Sequence, residues 1–253
     1  MTTPDRRAAL AVEAVDLRYA YPDGTTALAG ISLSIERGEA LCLAGPNGAG
    51  KSTLLLALAG LLRAEGTLSV EGQTPSTNQQ LGLVFQDPDD QLFCAAIAED
   101  VAFGPRNQKL AEAEVARRVT DSLQRTELAG YEKRTAHHLS GGEKKRAAIA
   151  AVLACQPAVL ALDEPWANLD ARGAAAVTRI IQDFTGTRIV ASQDLYRAAE
   201  VCPRIVVIDQ GHVVADGPVA QILADTRLLD QHGLEFGHRC RFCPERTGPA
   251  PGA

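Results

Sequence analysis

The sequence contains few of the features that mark membrane, secreted or nucleic-acid-binding proteins. No apolar run reaches 18 residues, so no segment is long enough to span a membrane. The amino terminus has arginines at positions 6 and 7 but no following signal-peptide core, so we expect a cytosolic protein. Six cysteines in 253 residues do not make a disulfide scaffold. The net charge of −6 argues against broad binding to nucleic acid, which requires a positive field.

The composition is that of an ordinary globular protein, with 46% hydrophobic and 22% charged residues. Short apolar segments alternate with segments whose apolar residues recur at helical spacing, which predicts an α/β fold with a largely parallel sheet. The first segments, 11–24 and 28–39, resemble strands broken by turns. Further strands are predicted at 40–44, 67–70, 81–85, 158–162, 187–191, 204–209 and 212–217, and helices at 52–62, 110–125, 140–155, 171–184, 194–201 and 218–224.

Residues 45–53, GPNGAGKST, fit the pattern G-x-x-x-x-G-K-[ST] between an apolar strand and a predicted helix, the setting of a phosphate-binding loop. Glycines in such a loop let backbone N–H groups turn toward phosphate oxygens, and the helix amino terminus adds a favourable dipole. Lys51 is expected to reach the β- and γ-phosphates, Ser52 to bind Mg²⁺, and Thr53 to bond a phosphate oxygen. A glycine-rich turn with an unrelated lysine is the weaker alternative for so complete a pattern. The predicted nucleotide-binding residues of the loop are Gly45, Pro46, Asn47, Gly48, Ala49, Gly50, Lys51, Ser52 and Thr53.

Two acids follow the apolar strand in AVLALDEP, residues 158–165. Asp163 presents a carboxylate at the sheet edge, where it can hold Mg²⁺ through water. Glu164 could orient or deprotonate an attacking water. A solvated turn or a cap for the next helix is the alternative, but the upstream phosphate loop favours the catalytic interpretation.

The segment LSGGEKKR, residues 139–146, begins a helix in which Ser140 and Glu143 have the spacing of a capping box. A capped helix with an exposed basic first turn would explain this much. However, the helix dipole is opposed by the basic residues near the helix start, Lys144, Lys145 and Arg146, so capping alone does not explain this sequence. The two glycines at the helix start also expose backbone N–H groups to an anion.

The three motifs, in this order and spacing, resemble those of the ATP-binding subunit of an ABC transporter over residues 12–225. The resemblance implies a P-loop NTPase of the ABC ATPase type, with a mostly parallel core sheet, an antiparallel β subdomain and a helical signature subdomain. It implies a domain at 1–230 followed by a tail at 231–253. It also implies a head-to-tail dimer, homo- or heterodimeric, in which each ATP is completed in trans by the signature residues Ser140, Gly141, Gly142 and Glu143.

Further roles are implied residue by residue. Tyr21 resembles the aromatic that stacks on adenine, although a strand-edge tyrosine is an open alternative. Gln86 resembles the glutamine that touches Mg²⁺ and the attacking water, so Mg²⁺ would be held by Ser52, Gln86 and Asp163. Asp170 resembles the aspartate that crosses the dimer interface. Trp166 stands where threonine is usual, so packing beside Glu164 is expected to differ.

Residue 193 departs from the family pattern. In TRIVASQDLYRAAE, residues 187–200, Gln193 stands in the place of a histidine that contacts the γ-phosphate. Its amide can still donate a hydrogen bond, but it cannot carry a positive charge or shuttle a proton. We therefore predict intact ATP and Mg²⁺ binding but slow hydrolysis, with Lys51, Glu164 and Gln193 as the catalytic set.

Segments 21–39 and 82–105 resemble the energy-coupling-factor ATPases, in particular those of cobalt and nickel uptake. The resemblance implies a cytoplasmic subunit that is peripheral on the inner face of the cell membrane. Its partners would be a membrane coupling subunit that contacts region 86–105, a substrate-capture membrane protein, and no nucleic acid. The apolar contacts would come from Phe85, Leu92 and Phe93, unless these pack in the core. Cobalt, nickel and a vitamin all stay open as substrates.

Two other functions are weighed against the transport motor. A soluble ABC ATPase acting on DNA or ribosomes is disfavoured, because only residues 54–138 separate the phosphate loop from the signature, without a coiled coil, and one ATPase domain is present. A hydrolysis-impaired subunit of a heterodimeric transporter is the alternative that Gln193 raises.

The tail contains four ligand-type residues within twelve positions: His232, His238, Cys240 and Cys243. This set would suit Zn²⁺, Ni²⁺ or Co²⁺. Its spacing matches no standard zinc finger and the segment has little apolar core of its own, so a tail that binds no metal is the favoured alternative.

Overall fold

The computed structural model describes residues 10–75 and 80–234. Within them the strands are β1 Leu10–Ala20, β2 Thr26–Glu36, β3 Ala40–Ala44, β4 Glu65–Val70, β5 Leu81–Val84, β6 Val159–Asp163, β7 Thr187–Ser192, β8 Arg204–Asp209 and β9 His212–Pro218. The α-helices are α1 Lys51–Leu58, α2 Ile97–Asn107, α3 Glu112–Arg125, α4 Gly141–Ala154, α5 Ala171–Asp183, α6 Leu195–Val201, α7 Val219–Ala224 and α8 Thr226–Gln231. In this part of the chain, no helix has the length and apolarity to cross a bilayer.

A six-stranded sheet in the order β5-β6-β7-β3-β8-β9 forms the centre of the fold, and only β9 runs antiparallel to its neighbour. All five residues of β3 and of β6 are buried, because helices or a second sheet cover both faces. The ends of three strands lie side by side, since Ala44 pairs with Ser192 and Asp163 with Ala191. The loops after β3, β6 and β7 therefore emerge at one edge, where open parallel sheets bind ligands.

A three-stranded antiparallel sheet in the order β2-β1-β4 packs against one face of the central sheet. Alternation along β3 directs Leu41 and Leu43 into the core shared with this second sheet, and Cys42 into the core on the opposite face. The antiparallel subdomain implied by the resemblance is confirmed.

The helical subdomain has a core of its own, formed by α2, α3 and the face of α4 that carries Ala147 and Ala150. Apolar residues four apart, Val115, Val119 and Leu123, supply the buried face of α3 as predicted. Helix α2 was not among the predicted helices. Its Gly104-Pro105 pair interrupts the helical pattern of the sequence, so no strong signal marked it.

The helix predicted over 52–62 ends earlier, at Leu58. Gly60 adopts a positive φ of 73°, its N–H bonds the carbonyl of Ala57 at 3.0 Å, and the N–H of Leu61 bonds Leu56 at 2.9 Å. These two bonds form a Schellman motif, which terminates the helix although the apolar pattern continues to 62.

Candidate nucleotide-binding site

A cavity of about 260 Å³ at this sheet edge brings together residues that are far apart in the sequence. It is lined by the loop and helix start at 47–53, by Tyr21 and Thr25 from the antiparallel subdomain, and by Gln86 and Glu164. These are the positions that the sequence assigned to the adenine, the phosphates, Mg²⁺ and the attacking water. The cavity is therefore the candidate nucleotide-binding site.

The phosphate loop needs glycine at two positions for steric reasons. A Cβ added to Gly45 would collide with the carbonyl oxygen of Ile208, and one added to Gly50 would collide with that of Ala27. Gly50 also has a φ of 106°, which side chains rarely tolerate. The loop therefore lies directly against neighbouring backbone, and a side chain at either position would displace it.

The Lys51 side chain is 6% exposed, and its Nζ donates to the carbonyls of Gly45 at 2.7 Å and Pro46 at 3.1 Å. Burial lowers the pKa of this amine, although the carboxylates of Glu164 and Asp163 oppose the shift. Lys51 Nζ lies 3.9 Å from Glu164 Oε1, so the cation already stands between the loop and the acidic pair. An anion in the cavity would meet this ammonium group directly.

Asp163 and Glu164 lie at the carboxyl end of β6, and each has a buried oxygen for which the described residues supply no hydrogen-bond partner: Asp163 Oδ1 and Glu164 Oε1. Burial raises the pKa of both carboxyls. Glu164 has a φ of 41°, an unfavourable backbone conformation that costs about 1–3 kcal/mol and is typical of functional sites. The orphaned Asp163 oxygen beside Ser52 fits a hard cation such as Mg²⁺, which prefers oxygen ligands.

Gln193 follows β7 and reaches across to the phosphate loop. Its Nε2 donates to Asn47 Oδ1 at 2.6 Å, while its backbone N–H contacts Glu164 Oε2 at 3.4 Å. The hydroxyl of Ser192 donates to the same carboxylate oxygen at 3.2 Å. Gln193 therefore stands between the loop and the acid, where a donor could reach a terminal phosphate, and its amide is already engaged by Asn47.

Tyr21, the predicted adenine residue, and Gln86, a predicted Mg²⁺ residue, both line the cavity. Tyr21 is 36% exposed, packs edge to face on Tyr19 at 5.1 Å, and its hydroxyl shares a 3.0 Å hydrogen bond with Thr53 Oγ1. Gln86 is exposed, two residues after the end of β5. Both side chains are thus accessible to a ligand in the cavity.

Signature residues Ser140, Gly141 and Gly142 line a second cavity of about 710 Å³, together with Asp170. The predicted capping box is confirmed: Glu143 N–H donates to Ser140 Oγ at 3.4 Å, and Ser140 N–H donates to Glu143 Oε2 at 2.8 Å. The Glu143 carboxylate accepts hydrogen bonds from the Ser140 N–H, the Tyr131 hydroxyl and the Ser140 hydroxyl, which lower its pKa to about 2. Asp170 caps α5 by accepting from the Gly173 N–H at 2.7 Å.

Comparison with known proteins identifies the family. A family profile described as "ABC transporter" matches residues 28–167. The chain belongs to the ABC transporter ATP-binding family. It is an ABC ATPase that is 43% identical over 237 residues to the energy-coupling factor transporter ATP-binding protein EcfA of Methanothermobacter thermautotrophicus, a match covering 89% of this chain and 76% of that protein.

Solved structures agree with the family fold. The CbiO1 protein of Clostridium perfringens, described as part of the ABC transporter complex CbiONQ, is 35% identical to this ABC ATPase with a TM-score of 0.77, covering 90% of this chain and 96% of that one. The ATP-binding cassette MJ0796, in a dimeric post-hydrolysis state with ADP and Pi, has a TM-score of 0.74 at 24% identity, covering 82% and 98% respectively. The latter likeness supports the fold alone.

The ABC ATPase also has an apolar groove of about 510 Å³ on its helical subdomain, which we call the aromatic groove. Phe93 is 64% exposed and Phe103 48% exposed, and their rings meet edge to face at 5.1 Å. Asp100, which is 4% exposed, accepts from the backbone N–H groups of Phe93 and Cys94, at 3.0 and 2.9 Å. Of the three residues expected to make contacts here, Phe93 is available, whereas Leu92 is buried in the helical core and Phe85 packs partly against the main core.

The expected metal ligands of the tail fall mostly outside the described residues, because His238, Cys240 and Cys243 lie in 235–253. His232 follows α8, and its Nδ1 lies 2.8 Å from Asp209 Oδ2. Among residues 10–75 and 80–234, no group of three or more His, Cys, Asp or Glu residues could hold a metal ion.

Several contacts of this site were not apparent from the sequence. The Gln193–Asn47 bond joins residues 146 positions apart. Trp166 is buried, and its indole Nε1 donates to Thr178 Oγ1 at 3.1 Å, which explains how a large ring is accommodated where threonine is usual. The alternative of an exposed basic turn does not hold for Lys145, which is 1% exposed and whose pKa is lowered to about 8 by burial. The one sequence signal that this turn is not simply solvated was the unfavourable placement of its basic side chains at the positive end of the helix dipole.

Proposed function

We propose that this chain is the ATP-hydrolysing subunit that powers an ABC-type uptake transporter. The observation that carries the proposal is the 260 Å³ cavity, in which the phosphate loop, Gln86 and Glu164 meet. The likeness to an energy-coupling factor ATPase and to CbiO1 favours uptake by a complex of that kind. By that resemblance, the transported substrate is a cobalt or nickel ion or a vitamin.

Each residue of the cavity has its own proposed role in binding or hydrolysing ATP. Lys51 and the backbone N–H groups of 47–53 bind the phosphates, and Ser52, Gln86 and Asp163 would hold Mg²⁺. When bound, Mg²⁺ would supply neutralisation of charge on the phosphate oxygens. Glu164 accepts a proton from the attacking water, a role favoured by its orphaned oxygen and raised pKa. Tyr21 stacks on the adenine.

The second cavity supports completion of each site by a second ATP-binding subunit. Ser140 and the N–H groups of Gly141 and Gly142 stand at the start of a 14-residue helix, where the dipole favours an anion. We propose that they bind the γ-phosphate held by the partner's phosphate loop, with Asp170 at the interface. The partner is a second copy of this chain or a related subunit.

Region 86–105, for which a membrane coupling subunit is the proposed partner, contributes Gln91, Phe93, Asp100, Phe103 and Gly104 to the lining of the aromatic groove. Exposed rings in a pocket are typical anchors of protein interfaces. Asp100 Oδ2, buried without a hydrogen-bond partner among the described residues, would complement a basic side chain between the apolar residues of that partner. The chain would then work at the inner face of the membrane, next to a substrate-capture protein.

The proposal is tested by two measurements on the same gene product. Purified chain should release phosphate from ATP only when Mg²⁺ is present, and cells that lack it should lose uptake of radioactive cobalt, nickel or a vitamin. Phosphate release with unchanged uptake of all three would refute the transport role. If no phosphate is released, either by the purified chain or by the chain coexpressed with its neighbouring subunits, the proposed ATP hydrolysis is refuted.

Replacing Gln193 with histidine is expected to raise turnover. A lost transition-state donor costs about 10²–10³ in rate, and the glutamine amide recovers part of that, so we expect a gain of about tenfold in Gln193→His. The Gln193→Ala variant, which removes the donor altogether, should be slower than wild type. Steady-state phosphate release at saturating MgATP measures both.

An unchanged or lower rate in Gln193→His would mean that glutamine is a full substitute at this position. If both subunits of the complex are this chain, the gain should appear in the whole ATPase rate. If a second gene supplies the partner, the gain should be confined to one of two sites, which would favour a regulatory subunit with impaired hydrolysis.

Removing the exposed rings should release the chain from membranes. The Phe93→Ser/Phe103→Ser variant is expected to bind vesicles from native membranes at least tenfold more weakly, because interface aromatics contribute about 2 kcal/mol or more each. The matched control is Leu61→Ser, an apolar residue that is 59% exposed outside the groove. Equal sedimentation of the three proteins with vesicles would exclude the groove as the contact.

A further inference from the structure

Lys145 makes an unusual pair of contacts for a lysine in the first turns of a helix. The residue is 1% exposed, and its Nζ donates to the carbonyl oxygens of Phe85 at 3.0 Å and Gln86 at 2.6 Å. An ammonium group that loses its hydration is costly unless it is hydrogen-bonded. Its partners here are two successive carbonyls of another segment, so the charge serves to bind that segment to α4.

The neighbouring lysine binds the same segment further along. Lys144 Nζ contacts both carboxylate oxygens of Asp89, at 2.7 and 2.9 Å. Asp89 lies in a short 3₁₀ turn, Pro88–Asp90, that begins two residues after Gln86. This pair is at the surface, where ion pairs contribute little, so the buried Lys145 provides the firmer attachment.

The attachment lies where the catalytic elements meet. A cavity of about 570 Å³ is lined by Ser52, Gln86, Lys145 and Asp163, together with Ala167 and Asn168 from the segment after Glu164. Gln86 and Asp163 are two of the proposed Mg²⁺ ligands. Lys145 fixes the backbone of Gln86 beside them, and the helix that carries Lys145 begins immediately after Ser140.

We propose that Lys145 is a positioning residue that joins Gln86 to the signature helix, so that the two move as one body. The proposal rests on the function proposed above, because it concerns how Gln86 is placed for hydrolysis. A partner that shifts the segment after β5 would then shift Ser140 with it. Conversely, closure of the signature on a nucleotide would draw Gln86 to its place.

A double-mutant cycle tests this link through Gln86. Lys145→Met keeps the length of the side chain but removes the ammonium. We expect kcat for ATP to fall about tenfold and KM for ATP to change less than twofold. The reason is that Gln86 would be misplaced for an interaction that it makes only in the transition state. In a Gln86→Ala background, Lys145→Met should have almost no further effect, because coupled residues are not additive. Lys145→Arg should restore most of kcat, and Lys133→Met, which removes a charge from an exposed loop outside this attachment, is the control for loss of a charge.

Independent, multiplying losses in the two single variants, or a wild-type rate in Lys145→Met, would overturn the proposal. If Lys145→Met does not fold, hydrogen exchange of the wild-type chain decides the question. ATP should then slow exchange in residues 81–91 and 139–150 together, and protection of only one of these segments would refute the link. A wild-type chain that hydrolyses no ATP would instead count against the proposed function, and the exchange measurement would still report on Lys145.

Discussion

The Glu164→Gln variant is expected to hydrolyse ATP about 10²–10⁴-fold more slowly than the wild-type chain, which is the usual contribution of a general base. Glutamine keeps the size of the side chain and can still meet Ser192 and the Gln193 N–H, but it cannot accept a proton from water. ATP binding should persist, because Lys51 and the phosphate loop are unchanged. Phosphate release and titration with a fluorescent ATP analogue measure the two properties separately.

The same variant predicts a change in pH dependence. Burial raises the pKa of Glu164, so the wild-type rate should begin to fall at a higher pH than an ordinary glutamate would give as the solution is acidified. The residual rate of Glu164→Gln should lack this acidic limb. Glu200→Gln, the same change at an exposed position on α6, is the control. A Glu164→Gln rate within tenfold of wild type would assign the proton transfer to another group.

The second large effect is expected at Lys51, whose replacement by methionine should weaken MgATP binding at least about 10²-fold. The ammonium is the buried cation at the mouth of the phosphate loop, and its bonds to phosphate oxygens are charge-assisted, each contributing about 1.5–3 kcal/mol. Hydrolysis should fall with binding, so KM for ATP rises. This separates Lys51→Met from Glu164→Gln, in which binding is retained.

The control for Lys51 is Lys133→Met, which removes a charge from an exposed loop. Thermal stability of Lys51→Met should fall only moderately, since the lost contacts are the Nζ bonds to the carbonyls of Gly45 and Pro46 and a 3.9 Å ion pair with Glu164. Unchanged ATP affinity in Lys51→Met would refute the assignment of the loop. A large loss of thermal stability would mean that the lysine serves the fold of the loop more than the ligand.

The central sheet and the position of the site could be predicted from the sequence because both depend on local patterns. An apolar run such as 40–44 indicates a strand buried on both faces, and glycines with a lysine at its end indicate the loop. The acids after 158–162 were placed at the same edge because parallel strands end together. The capping box at Ser140 is equally local.

The remaining features depend on contacts between distant segments, which no local pattern encodes. Lys145 donates to carbonyl oxygens 59 and 60 positions away in the sequence. Because lysines are rarely buried, the sequence alone predicts that a lysine near the start of a helix is exposed to solvent. The bond between Gln193 and Asn47 likewise depends on the adjacency of β3 and β7. Helix α2 is held by packing on α4, which overrides its weak intrinsic signal.

Trp166 gives this protein a built-in optical probe. It is the only tryptophan in the 253 residues and stands two positions after Glu164 and four before Asp170. Its indole is buried and bonded to Thr178, so its emission reports one fixed environment. Quenching or a spectral shift on adding nucleotide would therefore come from the segment that joins Glu164, the proposed general base, to Asp170, the proposed interface residue, and can be followed in real time without attaching a dye.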